Sequence, residues 1–292
     1  MLNYIQMDSD KSAHHPSFPV KVIAAAVSFS PYCRAILGEA KHLSDVLGAS
    51  LILIHVGEKT EEKEKQMNEM LTHFNFDYDS SRIIWMEGDE VNIILELCTL
   101  NKVDLLVLGA RVKENILKFY IGSVARKISR KAKCSVMLIT SPLTTPRAYS
   151  KIVINGTDDP KTENTINTAL YLAEQLKTKE VYIANELGIN ISLMVDAGGK
   201  TEQQKTELKS IQAYIRSLIN KYKNTDLVII SKTLKGKPGY AISKFAKTKK
   251  ADLLVINSPD IQLNVVHRIF THDIEYILAN LPCNLLIVQP KK

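Results

Sequence analysis

The chain has 292 residues, 45% of them hydrophobic and 24% charged, proportions that suit about two globular domains. No apolar run reaches the roughly 18–20 residues that cross a bilayer, and the opening MLNYIQMDSDKSAHHPSF lacks the apolar core of a secretory signal, so residues 1–18 are expected to be a disordered tail. The net charge of +7 and pI near 9.0 invite a nucleic-acid reading, but no aromatic set interleaves the lysines, which argues against it.

In chain order, the first apolar runs predict strands over 20–27, 50–56, 82–86, 104–108 and 135–140. Amphipathic stretches between them predict helices near 31–47, 60–74, 90–101 and 120–132. The strand runs are almost continuously hydrophobic, as expected for a parallel sheet covered on both faces. The pattern then repeats, with strands near 151–155, 180–185, 226–231, 252–256 and 284–289 and helices near 160–176, 202–223, 238–249 and 271–280. Asp104-Leu-Leu-Val matches Asp252-Leu-Leu-Val, Cys134 matches Cys283, and Lys21-Val-Ile and Lys151-Ile-Val open the two halves. Ser141-Pro-Leu-Thr-Thr-Pro146 punctuates the boundary, giving domains at 19–140 and 151–292 with a linker at 141–150. The connection 186–201 is the least defined stretch. Each half thus reads as an α/β domain, a doubly wound parallel five-stranded sheet.

Ligands of such sheets bind at the carboxyl ends of the strands, where strand order reverses. The segment after the fourth strand holds Gly109, Arg111, Val112, Gly122, Ser123 and Val124. Gly122-Ser123 opens a helix whose free amides favour an anion, and Ser123 either adds a hydrogen bond to it or caps the helix. This segment resembles the G-x2-G-x9-G-[ST] loop of the universal stress proteins, with Val112 at the middle glycine. His55-Val56 resembles the family's second-strand end, and Gly88-Asp89 its turn before the third helix. The resemblance covers 20–140 well and 151–290 more loosely. It implies the UspA-like, Rossmann-like fold in tandem, strand order 3-2-1-4-5 in each half, and last strands 135–140 and 284–289 side by side as an intrachain pseudo-dimer, with a further homodimer open.

The resemblance also implies a non-enzymatic, cytoplasmic stress-response protein with ATP or another adenine nucleotide in the first half. Val56 would face adenine, Gly109 to Ser123 the phosphates, and Arg111 or Lys113 would balance charge. Ser28 stands where the family's first-strand Asp would be. If the Val112 position needed a left-handed backbone, the loop would have to take another path. In the second half Asn257 and Asp260 replace glycines, and Phe270-Thr271 or Thr271-His272 replaces Gly-Ser, so nucleotide is not expected there. Asp158-Asp159 before Pro160 reads as a helix start. A weak ATPase or phosphotransfer enzyme, or a nucleotide-independent interaction module, remain the alternatives.

Other chemistry is thin. Eight Lys/Arg against Glu114 between Arg111 and Lys133, and seven Lys with no acid between Lys232 and Lys250, form either solvated faces or a seat for an acidic protein. Cys33, Cys98, Cys134 and Cys283 form no CxxC and read as reduced, buried thiols. His14–His15 reads as solvated. No catalytic motif surrounds Ser123 or His55, the latter expected to be packed or hydrogen-bonded. His267, His272 and Asp273 lack helical ligand spacing, so no metal is expected. No Walker A sequence is present, and Lys235-Gly-Lys-Pro-Gly239 reads as a turn.

Overall fold

The computed structural model describes residues 19–76, 81–112, 119–140, 148–157, 159–187, 213–221, 225–259 and 268–290. The tail 1–18, Lys113, linker residues 141–147, Asp158, 188–201, Asp260 and His267 lie outside them.

The first half runs β1 (Val22–Ala26), α1 (Cys33–Leu47), β2 (Ser50–Val56), α2 (Glu61–His73), β3 (Ser81–Met86), α3 (Glu90–Leu100) and β4 (Leu105–Gly109). It continues through the two-residue strands β5 (Arg111–Val112) and β6 (Phe119–Tyr120) to α4 (Ser123–Lys131) and β7 (Ser135–Ile139). The second half runs β8 (Lys151–Asn155), α5 (Thr162–Gln175), β9 (Glu180–Leu187), α6 (213–221), β10 (Val228–Lys235), α7 (Tyr240–Lys249), β11 (Leu253–Asn257), α8 (Arg268–Ala279) and β12 (Asn284–Val288).

Local chemistry explains the helix ends. Thr60 caps α2, its hydroxyl accepting the Lys63 amide, and Glu61, Glu62 and Glu64 in the first turn suit the helix dipole. Asp89 caps α3 through the Asn92 amide at 2.9 Å. The Asp-Leu-Leu-Val repeat has a backbone role: Asp104 Oδ2 accepts the Lys21 and Val22 amides, and Asp252 Oδ2 accepts the Lys151 amide. Val22 O and Lys151 O in turn accept the Asp104 and Asp252 amides. Each aspartate thereby tethers the first strand of its half to the fourth. Lys151 corresponds to Val22, so the lysine match read from the sequence is displaced by one residue.

The strand order is β3-β2-β1-β4-β7 in the first half and β10-β9-β8-β11-β12 in the second, parallel within each and 3-2-1-4-5 in both. The expectation of two sheets is corrected in one respect. β7 and β12 pair antiparallel, Leu285 opposite Leu138 and Ile287 opposite Val136, so the halves form one ten-stranded sheet. Every residue of β7 and β12 is buried. Left apart, each would expose an unpaired hydrophobic edge; paired, both edges vanish.

Alternation along the strands feeds two cores, as in a doubly wound sheet. Ile23, Leu53, Val107, Ile154 and Val255 face one side with α1, α2, α5 and α6; Ala24, Ile54, Leu106, Val153 and Leu254 face the other with α3, α4, α7 and α8. The sequence missed the β5–β6 ribbon, in which Arg111 pairs with Tyr120 and Val112 with Phe119. It also placed the α4 start at 120, inside that ribbon, and ended the third strand of the second half at 231, where β10 runs on to Lys235 beside β9.

Candidate functional site

Because β2, β1 and β4 are neighbours, their carboxyl ends bring Val56, Ser28 and Gly109 to one edge of the first half. Gly122, Ser123 and Val124 open α4 beyond the same edge. Ser28 and Ser123 are exposed; Val56, Gly122 and Val124 are half-buried. Gly122 has φ −62° and ψ 160°, its residue supplies no capping side chain, and no acid lies in the first turn of α4. The amides there meet no carboxylate of that turn, and the helix dipole is positive at this end.

The loop solves the Val112 problem by geometry. Val112 lies in a strand paired with Phe119, an extended backbone that a β-branched residue favours. The left-handed conformation required of a glycine is not used at that position. Gly109 has a packing reason as well: a Cβ there would lie 3.2 Å from Ile36 Cδ1, so α1 sits close over the end of β4. The β5–β6 ribbon packs through β6 against α8 of the other half.

His55 is packed rather than poised for catalysis. Its Nδ1 is 3.0 Å from the Val27 carbonyl, which only accepts, so the proton resides on Nδ1. Nε2 is buried and meets no hydrogen-bonding partner among the described residues. Phe29 and Trp85 meet the ring edge-on at 4.9 Å each and stack on one another at 5.9 Å. A Cβ on Gly57 would come within 3.2 Å of Nε2, and the φ of +144° at Gly57 independently favours glycine. A cavity of about 250 Å³ lies beside Phe29 between α1 and α2, lined by Ser30, Cys33, Arg34, Gln66 and Met70. The sequence reading passed over Phe29 and Trp85, since nothing in their spacing ties them to His55.

The second half closes the matching edge with its own side chains. Asn257 stands where Gly109 does, and its Nδ2 donates to Thr162 Oγ1 at 3.0 Å and to Thr157 Oγ1 at 3.4 Å. Lys161 Nζ donates to the Ser258 carbonyl at 2.8 Å. The strand register places Glu186 at the Val56 position. Its buried carboxylate accepts the Gly239 and Ile242 amides at 3.0 and 2.7 Å, so the start of α7 holds an anion from the protein itself. Asp159 accepts the Lys161 amide at 2.7 Å, as a helix-start residue should. Residues 270–272 lie within α8 rather than at its opening, which removes them as a counterpart of Gly122-Ser123. The second-half helix begins earlier, at Arg268.

The basic stretches are partly used internally. Arg130 and Arg126 reach across to Glu275 of α8 at 2.5 and 3.8 Å. Lys249 lies over the Tyr182 ring at 5.1 Å. Lys244, Lys247 and Lys250 are exposed. Among the described residues no three His, Cys, Asp or Glu side chains gather as metal ligands, and no helix is long and apolar enough to cross a membrane.

Two doubly wound halves with a glycine-marked helix start on the first define a Rossmann-like α/β protein. A profile of the Universal stress protein family matches residues 57–140. A universal stress protein of Methanocaldococcus jannaschii is 33% identical over 57 residues, a match spanning 20% of this chain and about a third of that protein's length. A candidate universal stress protein of Pseudomonas aeruginosa UCBPP-PA14 superposes with a TM-score of 0.67 at 15% identity, covering 93% of this chain and 94% of that one. A universal stress protein from Archaeoglobus fulgidus DSM 4304 gives 0.61 at 11%, covering 94% and 100%. The cytoplasmic domain of a prokaryotic cation chloride cotransporter gives 0.53 at 16%, covering 94% and 98%. These structural likenesses concern the fold alone. The sequence likeness to the Universal stress protein family therefore lies in residues 57–140.

Proposed function

We propose that this chain is a non-enzymatic signalling protein of a reducing cytoplasm, built as domains 19–140 and 151–292 joined by 141–150, with one adenine-nucleotide site in the first domain. ATP is the favoured ligand. Its phosphates meet the start of α4 at Gly122, Ser123 and Val124, Gly109, Arg111 and Val112 form the loop, and Ser28 and Val56 border the base and sugar.

The observation that carries this reading is the contrast between the halves. The first half has Gly109 at the end of β4 and Val56 at the end of β2. The second half has Asn257 and the buried Glu186 carboxylate at those two places. A carboxylate there adds like-charge repulsion against a nucleotide to the filling by Asn257. The test is equilibrium binding of labelled ATP to the full chain. One nucleotide per chain is expected, with affinity lowered at least tenfold by Ser123→Asp, which sets a negative charge at the phosphate position. Two sites per chain, or none at millimolar nucleotide, would contradict the reading.

A further inference from the structure

We infer that two copies of this chain dock through the layer of α3, α4, α8 and α7, with α3 of each copy lying on α7 of the other. The two helices occupy equivalent places at opposite ends of that layer. Each precedes the fourth strand of its half, and the Val103 amide donates to Cys98 O as the Ala251 amide donates to Ala246 O, at 2.9 and 3.0 Å. Glu96 of α3 therefore corresponds to Lys244 of α7. The solvent faces of the two helices are opposite in charge. Glu87, Asp89, Glu90 and Glu96 are exposed along α3 and its approach, whereas α7 exposes Lys244, Lys247 and Lys250. No acid lies between Lys232 and Lys250. None of these side chains has an ion-pair partner among the described residues. Each helix also carries an exposed apolar side chain at one end. Leu100, the last residue of α3, is 69% exposed, and Tyr240, the first of α7, is 45% exposed.

The fold fixes how these faces can meet. β7 and β12 run antiparallel, and α3 and α7 pack on the same side of the sheet. The halves are therefore related by a two-fold normal to the sheet at the seam, and α3 and α7 point in opposite directions. Glu96 lies just past the midpoint of α3, and Lys244 lies at the midpoint of α7. A twisted sheet is saddle-shaped, so a second copy can be turned over onto it about a line across the strands or a line along them. Turning about a line across the strands sets α3 on α3, α7 on α7 and α4 on α4. Like charge then meets like throughout, since α4 exposes Lys127 and Lys131.

Turning about a line along the strands sets α3 antiparallel on α7. Glu96 then meets Lys244, Leu100 meets Tyr240, and the acidic start of α3 meets Lys247 and Lys250. The two-fold makes each contact twice and closes the assembly at two copies. The intrachain seam uses the β7 and β12 edges, so this face forms a second, separate interface.

The test is sedimentation equilibrium of the full chain at low and high salt. At low salt the expected mass is twice the 32.7 kDa of one chain. Raising the salt should dissociate the dimer, because its paired charges start from exposed positions. Glu96→Lys and Lys244→Glu should each weaken the dimer by at least roughly tenfold. The chain carrying both substitutions should dimerise as the wild type does, which excludes misfolding as the cause of the single losses. Leu100→Cys chains mixed with Tyr240→Cys chains should join through those two positions on mild oxidation, as read by peptide map, and neither variant alone should link to itself there. A monomer at low salt, a dimer indifferent to salt or to both charge reversals, a double variant that stays monomeric, self-linkage at position 100, or no mixed link overturns the inference.

Discussion

Asn284 Oδ1 accepts the Thr140 backbone amide at 2.9 Å across the seam between β12 and β7. Ser135 Oγ accepts the Gln289 amide at 3.1 Å in the corresponding direction, so the seam is pinned at both ends by a side chain of one half on the backbone of the other. Asn284 also receives the Thr140 hydroxyl and donates to Tyr149 OH at 3.2 Å. Asn284→Ala leaves the Thr140 amide buried without that acceptor. It is expected to cost about 1–3 kcal/mol, the penalty for an orphaned buried donor, measured as a shift in urea midpoint with an unchanged slope.

Tyr149 extends the same network to the first half. Its hydroxyl donates to the Glu39 carboxylate, and both residues are at least 95% buried. Tyr149→Phe removes that donor from a buried acid, while Glu39→Gln keeps a neutral acceptor. The phenylalanine variant should lose about 1–3 kcal/mol. In the double variant the two losses should sum to less than their separate values, because contacting residues couple. Additive losses would show that the contact carries no energy.

Most strands were legible because a doubly covered parallel sheet writes itself as short, near-continuous apolar runs; 50–56 and 151–155 match the structure at both ends. The joining of the halves followed from the need to close an apolar edge at β7. The rest was hidden for physical reasons. β10 extends through Lys232–Lys235 because backbone pairing with β9 holds it, whatever its side chains. The β5–β6 ribbon has too few residues to show alternation. Gly109, Gly122 and Ser123 could be placed at one edge from spacing alone. The Glu186 cap spans 53 residues to Gly239, and the Asn257 bonds span about as far again, so no local pattern announces either.

Burial pushes the Cys33 thiol up from an ordinary 9.0 to about 11. Burial, followed by the Glu163 charge, pushes the Tyr214 hydroxyl up from 10.0 to about 12. The folded protein holds both protons more tightly than the unfolded chain. The associated stability is intact below about pH 9 and is lost as pH rises through 11 and 12. Urea midpoints should therefore fall across that window. Cys33→Ala should flatten the fall between pH 9 and 11, and Tyr214→Phe the fall between 10 and 12. A slope unchanged by either substitution would assign the alkaline loss to other groups.

The Arg126 and Arg130 pairs with Glu275 bridge the halves, yet the arginine and glutamate side chains are 28–50% exposed. Solvent screening makes such pairs worth little. Glu275→Gln should cost less than about 1 kcal/mol, and that cost should shrink at high salt. A larger, salt-independent loss would mean that α4 and α8 rely on this charge for docking.

Glu186 differs because its carboxylate is 9% exposed and bonds two amides at the start of α7, where Gly239 adopts φ +76° and supplies no side-chain cap. The helix dipole and the two unpaired amides both favour a negative group at that point. Glu186→Ala removes the charge and both acceptors together, with an expected loss of about 1–2 kcal/mol, as for a deleted helix cap. Glu186→Gln keeps one acceptor oxygen without the charge and should fall between alanine and wild type. Hydrogen exchange locates the effect: amides of Gly239 and Ile242 should exchange faster in the alanine variant while those of α3, capped by Asp89, stay as before. Equal acceleration in both helices would show that the carboxylate acts on global stability and not on the α7 start.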